Sequence, residues 1–337
     1  MQYLHGVLTL TSPLHTSAGN KGLRLQRDGK VTYKDNEGIQ VVSTVTTPLT
    51  VRGRFHGDLP IFPSSGLIGR LRRMAAIRVR AALASDSKPI TQPQYYALMN
   101  GHPTSSQMGM SYTKADYDRV ATDLFFGMFG GGSLRHAARY IQRDLVPVTH
   151  LTIEAGLVPQ KFADLAPVGG SRDIEPWQLF DYRLVRKVDD VIRGRDTADN
   201  VLLQGDEERR EAAVAYQTIP VGTSLYWRTQ WDEWVGRKTT PEQNGLLLMA
   251  LRDLLDAQGL GGKSHQGWGG FTAHRFRLID GANRHDLFDL GYDDEGMPSL
   301  SPTTAFTQLC EPAVRALAAL AEQPAHSREA LRTLLNG

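Results

Sequence analysis

Hydrophobic positions along the chain repeat at two different periods, which separates predicted strands from predicted helices. Residues 3–10 alternate as in a strand, and residues 271–279 do so again. A helix is predicted over about 65–84, and a second over 240–259, where Thr-Pro-x-Gln forms a capping box with proline in the first turn. The apolar positions of the first helix form one stripe: Leu67, Leu71, Met74, Ala75, Val79 and Ala82.

Three further segments are rich in β-branched residues and predict strands. These are residues 144–155, 214–220 and 224–231, with the last two joined as a hairpin across Val221-Gly222-Thr223. In chain order the elements give β, α, β, β, α, β, which is the split βαβ or ferredoxin-like arrangement of an α+β fold. RNA-recognition modules are built on this same sheet.

Long excursions separate these elements. A polar stretch runs from the first strand to about residue 60, and residues 85–143 carry helical signals around 114–126. Residues 177–210 read as a projecting hairpin, and the Ala- and Leu-rich C-terminal tail is predicted to be helical. The excursions are compatible with insertions into one domain and equally with a second domain.

Composition is that of an ordinary globular protein. The 337 residues are 41% hydrophobic and 22% charged. No apolar run reaches the roughly 20 residues that span a bilayer, and the first residues lack a signal-peptide pattern, so we expect a cytoplasmic protein with no membrane partner. The single cysteine, Cys310, excludes an intramolecular disulfide and a cysteine-cluster zinc site, and we expect it to be a small core residue.

Charge is nearly balanced over the chain but is concentrated locally. The net charge is +2, yet residues 52–80 hold seven arginines and one acid, Asp58. The seven are Arg52, Arg54, Arg70, Arg72, Arg73, Arg78 and Arg80. Because affinity for nucleic acid depends on where charge lies, this stretch indicates a polyanionic partner.

A helix start lies within this basic stretch. Residues 62–73 read FPSSGLIGRLRR, in which Ser64 or Ser65 can cap the first amides of the helix. Arg70 and Arg73 fall on a different face from the apolar stripe, and helix N-termini attract anions. One interpretation is a docking point for phosphates; the other is a solvated amphipathic helix with a good cap.

A loop of six glycines follows the second predicted helix at residues 259–270, GLGGKSHQGWGG. Its backbone amides can face an anion, and Lys263 and His265 favour binding over a purely structural turn. The Gly-Lys-Ser within it is not a nucleotide-binding P-loop. That motif needs a glycine where this chain has Ala257, and it runs from strand to helix, whereas the order here is helix to strand.

Catalytic motifs are missing from the sequence. It contains no metalloprotease helix, paired-cysteine site or nucleophile elbow, so we expect neither an enzyme, a metal site nor a cofactor. Two enzymatic alternatives stay open. In one, a histidine such as His15, His56 or His265 is the general base of a metal-independent endoribonuclease that processes precursor RNA, with Lys263 stabilising charge. In the other, an unrelated α+β enzyme uses His265 and Lys263 on a phosphorylated small molecule.

Three segments together resemble the RAMP superfamily of CRISPR-Cas proteins: residues 62–73, the segment DLFFGMFGGG at 123–132 and the loop at 259–270. They are most similar to the backbone subunit that coats the guide RNA (crRNA) in multi-subunit effectors. Its members carry a Pro-x-Ser-Ser/Gly-Leu-x-Gly-x-Leu-Arg helix start, a Leu-Phe-Gly segment and a late glycine-rich loop. Residues 65–73, SGLIGRLRR, are most similar to the type IV version.

The resemblance covers nearly the full length and implies a single RAMP-type domain. An RNA-recognition palm would carry insertions known as fingers, web and thumb. The implied boundaries are palm at about 1–15, 60–85, 144–156 and 213–282, fingers at 16–59, web at 86–143, thumb at 170–212 and a helical tail at 303–337.

The resemblance also implies binding residues and partners. The residues that would contact RNA are Ser64, Ser65, Gly66, Arg70, Arg73, Arg52, His15, Lys263, Ser264 and His265, together with Arg183, Arg186, Lys187 and Arg193 of the thumb. Copies would stack head to tail along one crRNA and leave its bases free to pair with target DNA or RNA. Other partners would be a handle-capping subunit, a small or large subunit and an accessory helicase.

One departure from relatives bears on mechanism. Type III relatives cut target RNA with an aspartate that stands shortly before a Pro-x-x-x-Arg stretch. Here Thr46 and Thr47 stand before Pro48, and Arg52 ends the stretch, so the resemblance implies no target cleavage. Asp58 is the nearby acid that a shifted alignment would place in that role.

Overall fold

The computed structural model describes residues 2–18, 22–26, 30–33, 38–101, 113–131, 136–166, 174–187, 212–232, 238–296 and 298–336. The strands, in chain order, are β1 (Gln2–Leu10), β2 (Arg24–Leu25), β3 (Val31–Thr32), β4 (Ile39–Val42), β5 (Thr46–Val51), β6 (Arg54–Pro60), β7 (Tyr140–Gln142), β8 (Val146–Pro147), β9 (Asp181–Lys187), β10 (Ala212–Thr218), β11 (Ser224–Trp231), β12 (Phe271–Asp280), β13 (Asn283–Asp286), β14 (Phe288–Tyr292) and β15 (Pro298–Pro302). The α-helices are α1 (Ser64–Leu83), α2 (Gln92–Asn100), α3 (Lys114–Thr122), α4 (Phe126–Phe129), α5 (His150–Glu154), α6 (Pro241–Asp256), α7 (Thr304–Glu322) and α8 (Pro324–Asn336).

The main sheet has the ferredoxin-like order. Its strands run β13-β12-β1-β11-β7, with β8 also paired to β11, and the pairings are antiparallel. Two strand–helix–strand units build it, β1-α1-β7 and β11-α6-β12, so the first strand of the motif lies between the third and the fourth. The predicted α+β class and ferredoxin-like palm are therefore confirmed. We call this sheet the palm sheet.

Helices α1 and α6 cover one face of the palm sheet. Thr240 and Gln243 form the predicted capping box, in which each side chain accepts a hydrogen bond from the other residue's backbone N–H. The predicted stripe of α1 is buried except for Met74, which is half-buried. Leu67 and Leu71 pack with Leu8 of β1 in the larger of two apolar clusters. Burying one such leucine stabilises the fold by about 1.5–3 kcal/mol.

A smaller apolar cluster lies on the opposite face of the palm sheet. Val7 of β1 and Tyr226 of β11 pack there with Leu59 of the β5–β6 hairpin and with Phe162. Phe162 belongs to a 3-10 turn at Gln160–Leu165. This cover reaches only part of the face, because Tyr3 at the start of β1 does not belong to the cluster.

A second sheet stands beside the palm sheet in the order β3-β2-β4-β10-β9. β10 runs parallel to β4 and antiparallel to β9. The predicted hairpin between 214–220 and 224–231 is therefore wrong: both segments form strands, but β10 and β11 belong to different sheets. Ile219 instead bridges to Leu14, and Pro220 has no N–H to donate to a ladder, so the chain leaves one sheet and enters the other at the turn.

The predicted strand at 144–155 is also wrong over most of its length. The palm strand in this region is β7, followed by the two-residue β8, and the segment then becomes α5. Thr149 accepts a hydrogen bond from the backbone N–H of Thr152, at 3.1 Å, and caps this helix. The cap and the missing donor of Pro147 outweigh the strand preference of the β-branched residues.

Helical predictions elsewhere are confirmed. α3 and α4 occupy the segment at 114–126 and slightly beyond, and α7 and α8 form the C-terminal tail. The predicted hairpin at 177–210 is described only at its base, where β9 pairs with β10. Cys310 is buried in α7, as predicted, and burial raises the pKa of its thiol to about 12. Within the described ranges, no helix combines the length and apolarity needed to cross a membrane.

Candidate nucleic-acid interface

The start of α1 is capped differently from the prediction. The capping position is Pro63, and neither Ser64 nor Ser65 makes a side-chain cap. Instead the backbone N–H of Ser64 donates to Oδ1 of Asp144 at 2.6 Å. A carboxylate from the chain itself therefore binds the first amide, because a helix N-terminus attracts negative charge. Ser65 is exposed, and the absence of a Cβ at Gly66 leaves room for the ring of Phe62 beneath it.

Two of the helix arginines are structural. Arg72 is buried and donates to four backbone carbonyls, those of Ala97, Leu98, Phe129 and Gly130. Arg78 makes a two-pronged ion pair with Asp253 of α6, with both hydrogen bonds at 2.6 Å. The positive charge that α1 presents to solvent is therefore smaller than the count of arginines indicates.

Arg70 joins α1 to the glycine loop. Its Nη1 donates to the carbonyl oxygen of Gly259, the first residue of the loop. Burial lowers the pKa of Arg70, and the charge of neighbouring Arg73 lowers it further. Arg73 itself is exposed. The helix start and the glycine loop, which the sequence treats as separate signals, thus form one surface.

The glycine loop, residues 259–270, is closed at its base and held against the segment that leaves β1. Gly259 bridges to Gly270, and the N–H of Gly269 donates to the carbonyl oxygen of Pro13 at 2.8 Å. Gly269 has φ 73°, and a Cβ there would collide with the carbonyl oxygen of Leu260. Only glycine fits this turn, so the loop has a defined shape. As predicted, it lies between a helix and a strand and is not a P-loop.

Lys263 lies between two aromatic rings on this loop. Its Nζ is 4.1 Å from the ring centre of Tyr216 and 5.7 Å from that of Trp268, and the two rings meet edge to face at 5.8 Å. Cation–π contacts of this kind hold an ammonium group while leaving its hydrogens available to an anion. All three side chains are half-buried. We call Tyr216, Lys263 and Trp268 the aromatic–lysine cluster.

His15 supports this cluster from below. It is 4% exposed, its ring lies 5.0 Å from that of Tyr216, and its Nδ1 donates to the carbonyl oxygen of Gln217 at 2.8 Å. Burial lowers the pKa of His15, with the charge of Lys263 acting in the same direction. Its Nε2 is buried and has no hydrogen-bond partner among the described residues. The neutral imidazole therefore positions Tyr216 and is shielded from solvent.

The remaining loop candidates lie beside the cluster. Ser264 is half-buried and begins a 3-10 turn at Ser264–Gln266, while His265 on the same turn is exposed. Lys263 also donates to Gln266 at 3.3 Å. These residues are thus brought together with Arg70 and His15, as the sequence led us to expect.

Arg52 and the thumb residues stand apart from this surface. Arg52 occupies the turn between β5 and β6, with φ 49°, and pairs with Glu154 of α5 at 2.6 Å. Arg183 pairs with Asp181 at 3.2 Å within β9. Arg186 and Lys187 belong to the same strand, opposite Ala213 and Ala212 of β10. Arg193 lies outside the described residues.

Tyr216 is the binding candidate that the sequence reasoning missed. It lies in β10, which the prediction paired with β11 in a hairpin of the palm. Its contact with Trp268 and Lys263 depends on the second sheet, which forms by pairing residues 214–216 with 40–42. The sequence shows only an aromatic residue in a predicted strand, which is common in cores as well.

The residues considered for target cleavage lie in the β5–β6 hairpin. Among the described residues, no three histidine, cysteine, aspartate or glutamate side chains lie close enough to hold a metal ion. Thr46 and Thr47 lie in β5, and Asp58 faces Pro48 across the β5–β6 hairpin as an exposed side chain. His56, the third histidine considered as a base, pairs with Glu175 at 3.2 Å.

Comparisons with known proteins find likenesses among solved structures. No protein-family model and no curated protein matches the sequence. A solved structure titled "Type IV-B CRISPR Complex" contains a chain similar to this one, with 15% identity and a TM-score of 0.48. The superposition covers 85% of this chain and 94% of that chain. The residues of this chain must therefore carry the functional proposal.

Proposed function

We propose that this protein binds a single-stranded guide RNA along the surface formed by α1 and the glycine loop. In this proposal it is the crRNA-binding backbone subunit of a type IV-like CRISPR effector in defence against mobile elements. Copies stack along one guide and support its pairing with target nucleic acid. We also propose, from the resemblance of the helix start and the loop to crRNA-coating subunits, several partner proteins. These are a handle-capping subunit, a small or large subunit and an accessory helicase.

The aromatic–lysine cluster is the observation that carries this proposal. Lys263 offers an ammonium group between Tyr216 and Trp268, beside a loop whose shape requires glycine. Stacking of a base on an aromatic side chain contributes about 1–3 kcal/mol and tolerates any sequence. The ammonium group of Lys263, next to the same rings, can bind a phosphate of the stacked nucleotide. This combination fits a single strand whose sequence is read by base pairing rather than by the protein.

Arg70 and Arg73 extend the surface along α1. Arg70 is held against Gly259 and Arg73 is exposed one helical turn further on. A strand leaving the aromatic–lysine cluster would therefore meet a second positive site on the helix. The exposed hydroxyl of Ser65 lies at the start of the same helix and can donate to a phosphate.

We propose that the subunit does not cut target RNA. No carboxylate stands at Thr46 or Thr47, and the exposed Asp58 across the hairpin has no second acid or histidine bonded to it among the described residues. The endoribonuclease alternative would require an accessible base close to Lys263. His15 is buried, which leaves the exposed His265 for that role.

The first experiment measures binding of a fluorescent single-stranded RNA over a range of salt concentrations. Log affinity falls linearly with log salt, and Lys263→Ala should make this slope less steep by about 0.7, the share of one phosphate. Trp268→Ala should weaken binding by about 1–3 kcal/mol and leave the slope unchanged, because it removes stacking and no charge. Arg73→Ala should act like Lys263→Ala.

Arg315→Ala is the matched control, since Arg315 is an exposed arginine of α7 that pairs with Glu311 in its own helix. It should leave the slope unchanged. Circular dichroism would verify that each variant folds. If Lys263→Ala and Trp268→Ala bind RNA like the unmodified protein, the proposed interface is wrong.

Material purified from cells tests assembly and cleavage. We expect RNA to copurify and nuclease digestion to leave protected fragments whose lengths increase in regular steps. Cuts at regular spacing in a matched target would contradict the non-catalytic proposal. Sharp cutting of a repeat hairpin, lost in His265→Ala, would favour the endoribonuclease.

A further inference from the structure

A row of basic residues crosses the palm sheet on the face opposite α1 and α6. His5 in β1 pairs with Arg228 in β11 on one side and with Arg277 in β12 on the other. Residues paired across antiparallel strands point to the same face, with Cβ atoms about 4.5–5.5 Å apart. Like charges in such an arrangement repel one another. We call this set, with Lys161 and Arg284, the basic row.

Lys161 and Arg284 enlarge the row. Lys161 reaches in from the 3-10 turn at Gln160–Leu165, and its Nζ donates to Nε2 of His5 at 2.8 Å. Arg284 in β13 lies opposite Ile279, which in turn pairs with Tyr3 of β1. The positive groups therefore span four neighbouring strands, across a width of about 15 Å at the usual strand spacing.

Carboxylates balance only part of this charge. Asp286 pairs with Arg277, and Asp164 pairs with the nearby Arg275. Among the described residues, no carboxylate forms an ion pair with Lys161, Arg228 or Arg284. The Nε of Arg228 is buried without a hydrogen-bond partner in the same part of the chain. Of these three cations Arg228 is half-buried, and placing a cation partly out of water without an acid is unfavourable unless an anion binds there.

Burial and the neighbouring cations of the row lower the pKa values of Lys161 and His5. Burial lowers the pKa of Lys161, and the charges of Arg277 and Arg284 lower it further. The pKa of His5 falls to about 4, first through burial and then through Lys161 and the three arginines. His5 is therefore neutral at physiological pH and accepts the hydrogen bond from Lys161.

This part of the face is open to a ligand. Lys161, Arg277 and Arg284 are exposed, and Arg228 is half-buried over the ring of Tyr3, with its Cζ 5.6 Å from the ring centre. The smaller apolar cluster reaches His5, which is buried with its ring 5.6 Å from that of Phe162, so the open part of the face is formed by the exposed cations around His5. The row lies at the start of β1, whereas the glycine loop contacts Thr11 and Pro13, just after the other end of β1. Tyr3 and Thr11 are about 26 Å apart along the strand.

We propose that the basic row binds the phosphate groups of a second single-stranded nucleic-acid segment, separate from the strand held at the glycine loop. Lys161, Arg228 and Arg284 have no carboxylate partner among the described residues and are spread over the width of four strands. This spread fits successive phosphates of one backbone better than one compact anion. Tyr3 adds an aromatic ring in the same place. This binding site does not depend on the guide-binding proposal.

The test measures binding of a fluorescent oligouridylate to full-length protein that carries Arg284→Ala or Arg284→Lys. Each substitution is made in two backgrounds, the otherwise unmodified protein and the double variant Lys263→Ala/Trp268→Ala. Arg284→Ala should weaken binding about threefold and make the salt slope less steep by about 0.7 in both backgrounds. Arg284→Lys should retain both values, because it keeps the charge. Lys161→Ala should resemble Arg284→Ala, and Arg315→Ala should change nothing.

The outcomes separate the two proposals. If only the loop variants weaken RNA binding, the basic row is not a nucleic-acid site and the guide proposal stands. If only Arg284→Ala does so, the row is confirmed and the guide site is wrong. If inorganic phosphate saturates the row at low millimolar concentration, the ligand is a small anion and the inference is overturned. If polyglutamate binds in place of oligouridylate, the ligand is an acidic protein surface and the inference is likewise overturned.

Discussion

Arg72 and Arg73 are adjacent in the chain and have opposite surroundings. Arg72 is 7% exposed and its guanidinium donates to four carbonyl oxygens at the ends of α2 and α4, whereas Arg73 faces solvent. Arginine is rarely buried without partners, and the sequence could not reveal partners supplied by a segment 25 to 58 residues away. The number of arginines in α1 therefore overestimates the positive charge that the helix can present to a ligand.

Replacing Arg72 tests this structural role. Arg72→Met keeps much of the side-chain volume but leaves four buried carbonyls without a donor, so the free energy of unfolding should fall by about 3 kcal/mol or more. Urea unfolding followed by circular dichroism measures this. Arg73→Met is the control at the neighbouring position and should change stability by less than about 0.5 kcal/mol. Equal losses in the two variants would contradict the assignment.

His5 should make stability depend on pH. Its pKa is about 4 in the folded protein against 6.5 ordinarily, so the unfolded chain takes up a proton first as pH falls. The part of the free energy of unfolding that depends on neutral His5 is fully present above about pH 6.5 and is lost progressively as the pH falls to about 4. The proton is disfavoured first by burial and then by the cations Lys161, Arg277, Arg228 and Arg284.

The measurement compares thermal unfolding between pH 7 and pH 4 for the unmodified protein and His5→Gln. Both lose stability as carboxylates protonate, but the unmodified protein should lose more, because only it contains the depressed histidine. Parallel curves would show that His5 does not titrate in this way. The comparison uses the pH dependence, so any constant cost of the substitution cancels.

At the scale of elements, the sequence predicts helices better than strand partners. The capping box of α6 and the stripe of α1 are local signals, and both are confirmed. Strand pairing is not local: residues 214–216 pair with 40–42, which no pattern near either segment specifies. The turn Val221-Gly222-Thr223 resembles a hairpin turn, yet it connects two sheets.

Two glycines in helices provide a matched test of packing. At Gly245 of α6 a Cβ would lie 2.9 Å from the Cβ of Ala313 in α7, whereas at Gly69 of α1 nothing lies within 4 Å. Gly245→Ala should destabilise the protein by about 1–3 kcal/mol through overpacking, despite the better helix propensity of alanine. Gly69→Ala should stabilise it by up to about 1 kcal/mol.

Chemical denaturation of both variants decides this. Similar gains in stability from Gly245→Ala and Gly69→Ala would show that α6 and α7 do not pack as closely as described. A loss at Gly69 would contradict the open space around it.

At the scale of the whole molecule, the sequence identified the two halves of the candidate site but not what joins them. Arg70 and Lys263 were both candidates, and the fold brings the helix of one to the loop of the other through Gly259. Tyr216 was absent from the prediction because its position depends on the second sheet. The basic row was absent because its members come from segments distant in sequence, namely β1, β11, β12, β13 and a 3-10 turn.

The position of β1 also has a consequence for biosynthesis. It is synthesised long before both of its neighbours, yet it lies in the middle of the palm sheet between β11 and β12, and Thr9 pairs with Ser224. At about 5–20 residues per second, the interval between synthesis of β1 and of β12 is roughly 15–55 s. During that time a strand with buried leucines has neither neighbour. Co-translational folding of the palm must therefore wait for most of the chain, and nascent chains that stop before β12 should be clients of chaperones.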